Sequence, residues 1–148
     1  MLIHRKEIYI EFGDCDPGGI VYFPRYLEYG DACTNALFAR AGLHKAQMVK
    51  TYGIAGIPMV ESRARFLVPS QFGDTVVVES CVAEWGRSSF SVHHQLFKDG
   101  VLAVELFEKR VWVARTAESA GGPVRFKAQV IPQEVKDKFA GKPHTGRK

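Results

Sequence analysis

A chain of 148 residues, with 46% apolar and 24% charged residues, is long enough to bury one hydrophobic core and predicts one domain. No apolar run approaches the roughly 18 residues that span a bilayer, and the first residues lack the apolar core of a signal peptide, so we expect a cytoplasmic protein. The net charge of +4 is concentrated after residue 123, where seven Lys and Arg residues accompany two carboxylates, and this argues against a basic nucleic-acid-binding face on the folded domain.

The same charge distribution predicts how the chain is organised. We expect a single domain over residues 1–140, followed by a basic, flexible tail over residues 141–148. An alternative is that some cations of the tail bind the phosphates of a nucleotide-bearing substrate. Three cysteines far apart, without a C-x-x-C pair, indicate neither a disulfide framework nor a zinc site, so we expect reduced thiols.

The first half of the chain predicts a strand, a tight turn and a long helix. Apolar and polar residues alternate over residues 6–12, with Ile8, Ile10 and Phe12 on one face, which indicates a strand. A turn rich in glycine and aspartate follows. From Pro24 to about residue 41, apolar and small residues recur at three- and four-residue steps, which predicts a helix that Gly42 ends. A short second helix is predicted over residues 44–52.

The second half of the chain predicts strands. Four runs, joined largely by hairpins at Gly86-Arg87 and Asp99-Gly100, cover residues 59–68, 75–85, 88–98 and 101–114. A short strand at residues 126–131 and a helical turn at residues 132–139 follow. Strands and helices do not alternate, so a parallel doubly wound sheet is not expected. The sequence predicts an α+β fold, in which an antiparallel sheet of about five strands wraps around one long central helix.

The turn before the long helix carries the clearest chemical signal. Gly18 and Gly19 let a ligand approach the backbone, and Pro24 suits the first position of a helix. The first turn of a helix leaves N–H groups free at the positive end of its dipole, and such groups stabilise a developing oxyanion. Asp16 stands close by as a base or nucleophile, so the stretch has the minimum equipment for acyl transfer.

The residues alone leave other interpretations of this stretch open. Asp14 and Asp16 are also typical turn residues. A D-x-D metal site lacks a histidine or third carboxylate at ligand spacing, so we expect no metal. Cys15 as a nucleophile needs a base, and the sequence places none of the five histidines beside it, so we expect a packed thiol.

The segment GDCDPGGIVYFPRY, residues 13–26, resembles the signature of hotdog-fold acyl-CoA thioesterases of the 4-hydroxybenzoyl-CoA thioesterase type. The resemblance continues at Asp31, in GIAGIP at residues 53–58, and at Glu84-Trp85 with Ser89-Phe90. It implies the hotdog fold and hydrolysis of an acyl-CoA thioester. It also implies a homodimer or tetramer with active sites between subunits.

The resemblance assigns roles to single residues. It implies that Asp16 is catalytic, as nucleophile or general base, and that the backbone N–H near Phe23 binds the thioester carbonyl. The neutral aromatic residues Tyr22 and Phe23 suit an apolar or aromatic acyl group. The other substrate-binding candidates are Gly18, Gly19 and Asp31 near the reacting centre, and Arg63, Arg65, Trp85 and Arg87 toward the nucleotide. For the arginines, a solvated sheet edge with salt bridges is the alternative.

We therefore expect hydrolysis of an aromatic acyl-CoA, such as 4-hydroxybenzoyl-CoA, to the free acid and coenzyme A. No metal or redox cofactor is expected, because coenzyme A enters as part of the substrate. A hotdog hydratase or dehydratase is one alternative, but that chemistry usually pairs a carboxylate with histidine, and residues 5–43 contain none. A non-catalytic module that binds acyl thioesters is the other alternative.

Overall fold

A computed structural model describes residues 1–116, 122 and 124–141 of the chain. In the described residues the elements are β1 (His4–Tyr9), α1 (Pro24–Arg40), α2 (Lys45–Tyr52), β2 (Met59–Phe66), β3 (Thr75–Trp85), β4 (Ser89–Lys98), β5 (Val101–Val111), β6 (Val113–Arg115), β7 (Phe126–Ala128) and α3 (Gln133–Asp137). The predicted tail at residues 141–148 lies outside the described residues apart from Gly141, so the domain boundary stays a prediction.

Five strands form an antiparallel sheet in the order β1-β3-β4-β5-β2, and β6 pairs with β7 in a small separate ribbon. Strands β3, β4 and β5 follow one another through the two predicted hairpins. At the second hairpin Asp99 and Gly100 both have positive φ, 50° and 76°, as its two-residue turn requires. Helix α1 packs against β1, β3 and β4. The predicted α+β hotdog architecture is therefore confirmed.

Two details of the strands differ from the prediction. Strand β1 ends at Tyr9, because Glu11 N–H donates to Asp14 Oδ2 at 3.0 Å and Asp14 N–H to the Glu11 carbonyl at 3.1 Å, which turns the chain. Phe12 is consequently exposed, and its predicted place beside Ile8 and Ile10 is wrong.

The long strand predicted over residues 101–114 is interrupted at Trp112, whose N–H donates to the Ser88 carbonyl at 2.7 Å. Strand β2, for which the sequence predicted no hairpin, does not pair with β3. It crosses to the far edge of the sheet and pairs with β5. At that edge, the alternation of apolar and polar residues along β2 does not create a buried face. All of its residues are exposed except Ala64, which is partly buried.

The core has two apolar halves that share α1. Near the start of the helix, Tyr26 and Cys33 pack with a cluster that includes Val76, Leu96 and Leu106. Toward its end the helix packs into a second cluster, which includes Leu37, Phe38, Phe90, Trp112 and Phe139. Helix α1 ends at Arg40, and Gly42 then adopts a φ of +84°, so its predicted role as the stop is confirmed.

A buried polar chain lies between these halves along α1 and the strands. His94 is fully buried, with Nδ1 2.6 Å from Ser80 Oγ and Nε2 3.1 Å from Thr34 Oγ1. The Thr34 hydroxyl donates to Glu108 Oε1, which also accepts from Arg110 Nε at 3.1 Å. The chain thus joins the middle of the helix to three strands of the sheet.

Arg110 extends this chain to the surface. Its Nη2 donates to Asp31 Oδ1 at 2.8 Å, and its Nη1 donates to the Ile57 carbonyl at 3.2 Å. Gly30 makes room for the carboxylate, since a Cβ there would lie 3.1 Å from Glu108 Oε2. Arg110 therefore ties α1 and the segment before β2 to the sheet.

The charge on Glu108 links this network to stability. Burial by itself would raise the pKa of Glu108, but His94 and Arg110 outweigh burial and lower it to about 2. Because this pKa lies below the ordinary value of 4.5, the ionised carboxylate stabilises the fold above about pH 4.5. That contribution is lost as the pH falls from there toward 2.

Arg110→Met should lower the free energy of unfolding at pH 7 by about 3–5 kcal/mol, because it leaves an ionised carboxylate buried without its guanidinium partner. Urea unfolding measures the loss. Lys109→Met changes the exposed neighbour on the same strand and should stay within about 0.5 kcal/mol of the unmodified protein. Equal losses in the two variants would contradict the importance of the buried pair.

Candidate active site

Asp16 lies in a small hairpin between β1 and α1. Tyr22 N–H donates to the Asp14 carbonyl at 2.8 Å, and Asp16 N–H donates to the Ile20 carbonyl at 2.9 Å. The Asp16 carbonyl accepts the N–H of Gly19 at 2.9 Å, and Gly19 has a φ of +87°. This is a three-residue loop closed by a residue in the left-handed region, where glycine is favoured.

The hairpin is fastened to the rest of the fold on one side. Val21 is buried, and its N–H donates to the Ser70 carbonyl at 2.9 Å. Cys15, paired with Val21 across the hairpin, packs against the apolar cluster around the start of α1. Ile20 bridges to Gln71. The hairpin is thus held by the segment that connects β2 to β3.

The carboxylate of Asp16 is oriented by its own loop. Its Oδ1 accepts the N–H of Gly18 at 2.8 Å, and the residue is partly buried. Among the described residues, Oδ2 has no hydrogen-bond or ion-pair partner. Asp16 therefore combines a fixed carboxylate with one oxygen available for chemistry.

The start of α1 leaves one particular N–H available. Arg25 N–H donates to the Tyr22 carbonyl at 2.9 Å, Tyr26 N–H donates to the Phe23 carbonyl at 3.0 Å, and Pro24 has no N–H. The N–H of Phe23 has no acceptor within the described part of the chain. It stands at the positive end of the helix dipole and is suited to a developing oxyanion.

A cavity of about 230 Å³ opens beside Phe23. Its walls come from the hairpin, the first turn of α1 and the segment after β2: Ile20, Val21, Phe23, Tyr26, Phe66, Leu67, Val68, Pro69 and Ser70. Asp16 does not line the cavity. Its backbone N–H donates to the carbonyl of Ile20, and Ile20 does line it. Tyr22 is exposed and packs its ring 5.9 Å from that of Phe23. Carboxylate, N–H donor and apolar cavity therefore meet at one hairpin.

Asp31 lies elsewhere. Its carboxylate is 57% exposed and pairs with Arg110 in a second cleft, of about 360 Å³, which Lys45, Met59 and Phe126 also line. Within one chain, the structure does not bring Asp31 to the cavity at Phe23. Its supporting role at the reacting centre stays a prediction.

The predicted arginines of β2 are engaged on the open face of the sheet. Arg63 lies 3.5 Å from Glu61 and stacks over the Phe107 ring at 4.9 Å, and Arg65 lies 3.6 Å from Glu105. These contacts favour the salt-bridge alternative for both. Phosphate binding by Arg63 and Arg65 stays a prediction.

Trp85 and Arg87 lie at the other half of the core. The Trp85 ring packs 5.4 Å from Phe90 and 5.3 Å from Phe139, in the cluster around the end of α1. Arg87 is exposed at the hairpin, and next to it Lys136 Nζ donates to the Gly86 carbonyl at 3.0 Å. A basic pair therefore exists at this hairpin, but one chain does not place it beside Asp16.

The alternatives based on sulfur or metal gain no support. Cys15 Sγ lies 3.7 Å from the Glu11 carbonyl, whereas His94 is committed to the buried chain and His93 lies 3.3 Å from Glu105. No group of three or more His, Cys, Asp or Glu side chains in the described residues is arranged to hold a metal ion.

Sequence reasoning missed the deeper wall of the cavity and the buried polar chain. The sequence did not indicate that Ser70 and Tyr26 line a common cavity, because their proximity depends on how the chain crosses from β2 to β3. Glu108 and Arg110 did carry a signal, since they occupy inward positions of β5 where Val104 and Leu106 precede them. Two charged residues in register with buried apolar ones indicate a buried ion pair.

Comparison with known proteins places these features in context. The family model described as "Thioesterase-like superfamily" matches residues 10–139. A 4-hydroxybenzoyl-CoA thioesterase from Pseudomonas sp. (strain CBS-3) is 37% identical over 115 residues, which cover 74% of this chain and 82% of that protein. The solved structure of 4-hydroxybenzoyl CoA thioesterase from that strain has a TM-score of 0.83 at 32% identity and covers 92% of this chain and 98% of its own. A 1,4-dihydroxy-2-naphthoyl-CoA hydrolase from Synechococcus elongatus is 29% identical over 96 residues, 65% of this chain and 71% of that protein.

Gly18→Ala should lower turnover by roughly 10- to 100-fold, as expected when a reacting group is displaced by about 1 Å. The new Cβ would lie 3.0 Å from Asp16 Oδ1, whereas the φ of Gly18 is not positive, so the carboxylate rather than the backbone must give way. Gly13→Ala is the control, because a Cβ there meets nothing within 4 Å. Steady-state kinetics and melting temperatures are measured together, and equal turnover in the two variants would refute the assignment.

Proposed function

This chain belongs to the thioesterase-like superfamily, and from that premise we propose that it hydrolyses the thioester of an aromatic acyl-CoA. The resemblance predicted from residues 13–26 is thereby confirmed at the level of the family. One observation carries the proposal: an oriented carboxylate and a free N–H stand at the same hairpin, beside an apolar cavity.

In this proposal the Phe23 N–H donates a hydrogen bond to the thioester carbonyl oxygen and stabilises the negative charge that develops there. Asp16 Oδ2 then acts in one of two ways. As a nucleophile it attacks the carbonyl carbon, expels the coenzyme A thiolate and leaves a mixed anhydride that water hydrolyses. As a general base it takes a proton from water, which attacks the carbonyl in its place. Both routes give the free acid and coenzyme A, and neither requires a metal or redox cofactor.

The cavity supports an acyl group of one aromatic ring. An apolar cavity of about 150 Å³ is enough for benzene, and this one, of about 230 Å³, is walled mainly by apolar side chains. The relative from Pseudomonas is a 4-hydroxybenzoyl-CoA thioesterase, so 4-hydroxybenzoyl-CoA is the substrate we propose first. A bicyclic acyl group, as in the name of the cyanobacterial relative, needs more room.

The rival functions have weaker support. A hydratase or dehydratase usually needs a histidine beside the carboxylate, and in the described residues the partners of Asp16 are main-chain groups of its own hairpin. A non-catalytic binding module would keep the cavity and the helix start but would not need Asp16. Release of thiol from a panel of acyl-CoAs separates hydrolysis from both.

Self-association completes the proposed site. Strand β2 is an edge of the sheet, and along it Met59, Val60 and Phe66 are exposed. Phe66 also lines the cavity, while Trp85 and Arg87 lie at the opposite half of the core. A homodimer, or a tetramer of two such dimers, could therefore bring the basic hairpin of one subunit to the cavity of another, where Arg87 and Lys136 would hold the phosphates of coenzyme A.

Two features bear on where the protein is located. In the described part of the chain, no helix has both the length and the apolar character needed to cross a bilayer. The cysteines Cys15, Cys33 and Cys81 are all free thiols. A reducing cytoplasm is the compartment we propose, with no nucleic acid among the partners.

Asp16→Asn should lower kcat at least roughly 10²-fold, because both routes need the anionic oxygen and general-base catalysis alone contributes about 10²–10⁴-fold. Folding and substrate binding should persist, since the asparagine oxygen can still accept the Gly18 N–H. Cys15→Ser is the matched control and should stay within roughly tenfold. Normal turnover in Asp16→Asn with loss in Cys15→Ser would show thiol chemistry instead.

Val60→Lys should weaken self-association, because a charge on an exposed edge strand opposes pairing with another strand. Light scattering at micromolar concentration should show a dimer or tetramer for the unmodified protein and a smaller species for the variant. Thr75→Lys, at an exposed position on an interior strand, is the control. A monomeric unmodified protein would remove the shared site.

A further inference from the structure

Asp14, at the start of the hairpin that carries Asp16, takes no part in the proposed chemistry, yet its carboxylate is held in place. Its Oδ2 accepts the N–H of Glu11 at 3.0 Å, and its side chain is 19% exposed. Its Oδ1 lies 3.7 Å from Nε of Arg25, which belongs to the first turn of α1. The carboxylate therefore connects the start of the hairpin to the start of the helix.

The backbone of Asp14 connects the same two elements a second time. The Asp14 carbonyl accepts the N–H of Tyr22 at 2.8 Å, and the Tyr22 carbonyl accepts the N–H of Arg25 at 2.9 Å. Together with the ion pair between the Asp14 and Arg25 side chains, these two hydrogen bonds form a closed ring of contacts. The Tyr22 carbonyl in this ring belongs to the peptide bond that joins Tyr22 to Phe23.

That peptide bond also carries the N–H that we assign to the thioester. In a planar trans peptide the C=O and N–H groups point in opposite directions, and no peptide bond in the described residues is cis. Because the Arg25 N–H holds the Tyr22 carbonyl, it also sets the direction of the Phe23 N–H. Asp16 follows Asp14 by two residues in the same hairpin, so both reacting groups are placed relative to Asp14.

Arg25 has a second acidic partner, which allows a comparison within the same side chain. Its Nη1 donates to Glu28 Oε2 at 3.0 Å, a shorter contact than the one to Asp14. The Glu28 carboxylate is 65% exposed and lies one turn further along the same helix, so this pair does not reach the hairpin. Exposed ion pairs contribute little to stability. The pair with Asp14 therefore differs from the pair with Glu28 in what it connects.

We propose that Asp14 and Arg25 are positioning residues for the thioester hydrolysis. They hold the Phe23 N–H at a fixed distance and direction relative to the Asp16 carboxylate, and they do not touch the substrate. The first aspartate of the D-x-D sequence positions the site, and the second reacts. This assignment rests on the proposed function and adds to it the residues that align its two reacting groups.

Asp14→Asn retains an oxygen for the Glu11 N–H but removes the charge that faces Arg25, and Arg25→Gln removes the same contact from the helix. Each should lower kcat about tenfold and leave KM within about twofold, because a displacement below 1 Å costs less than the roughly 10²-fold of a full ångström. The double variant should fall no further than either single variant, since both changes remove one contact. Arg25→Lys keeps the charge and should retain most of kcat.

Glu28→Gln is the matched control, because it removes the other ion pair of Arg25 and should leave kcat within about twofold. Melting temperatures are measured for every variant, and kinetics are recorded well below the lowest of them. An equal fall of kcat in Glu28→Gln would overturn the proposal, as would a fall that the unfolded fraction explains, or single effects that multiply in the double variant. If Asp14→Asn does not fold, Arg25→Gln and Arg25→Lys carry the test, and equal kcat values in those two would count against the ion pair.

The amide resonance of Phe23 makes the test independent of turnover. In isotopically labelled protein, Asp14→Asn should shift this resonance, whereas Glu28→Gln should leave it in place, although Glu28 is nearer to Phe23 in the sequence. If no acyl-CoA is hydrolysed but the resonance shifts in Asp14→Asn alone, only the hydrolytic function fails. If hydrolysis is observed and Asp14→Asn changes neither kcat nor the resonance, the positioning role fails.

Discussion

The main-chain hydrogen bonds of the hairpin at residues 14–22 set the geometry on which the site depends. They place Asp16 opposite Ile20 and bring the chain directly to the start of α1, where the Phe23 N–H is free. The Val21–Ser70 hydrogen bond fastens the same hairpin to the segment that forms the cavity wall. Base, donor and cavity are therefore positioned by backbone, which varies less than side-chain rotamers do. This is the preorganisation that electrostatic stabilisation of an oxyanion requires.

The buried chain from Ser80 to Asp31 holds the scaffold behind that hairpin. Two apolar clusters would allow α1 to slide along the sheet, because apolar contacts are not directional. Thr34, His94 and Glu108 add directional contacts at the middle of the helix, and Arg110 adds links to Asp31 and to the Ile57 carbonyl. The network fixes the helix register and so fixes where the helix begins.

The sequence predicted what depends on local rules. Period-two and helical spacing located most elements, and two-residue turns gave the order β3-β4-β5. The strand order at the two edges could not be predicted, since β1 and β2 pair with strands distant in sequence. At the site, the glycines, Pro24 and Asp16 indicated the hairpin and the helix start. The place of Ser70 in the cavity wall could not be predicted, because it depends on the crossing of the chain from β2 to β3, which no local sequence pattern indicates.

The central claim is that Asp16 and the Phe23 N–H act on the same thioester carbonyl. A crystal structure of Asp16→Asn with bound 4-hydroxybenzoyl-CoA tests it most directly. The account predicts a carbonyl oxygen about 2.7–3.1 Å from Phe23 N, the distance of an effective oxyanion donor, with the side chain at position 16 facing the carbonyl carbon. An acyl group bound away from this hairpin, for example in the cleft between Asp31 and Met59, would contradict it.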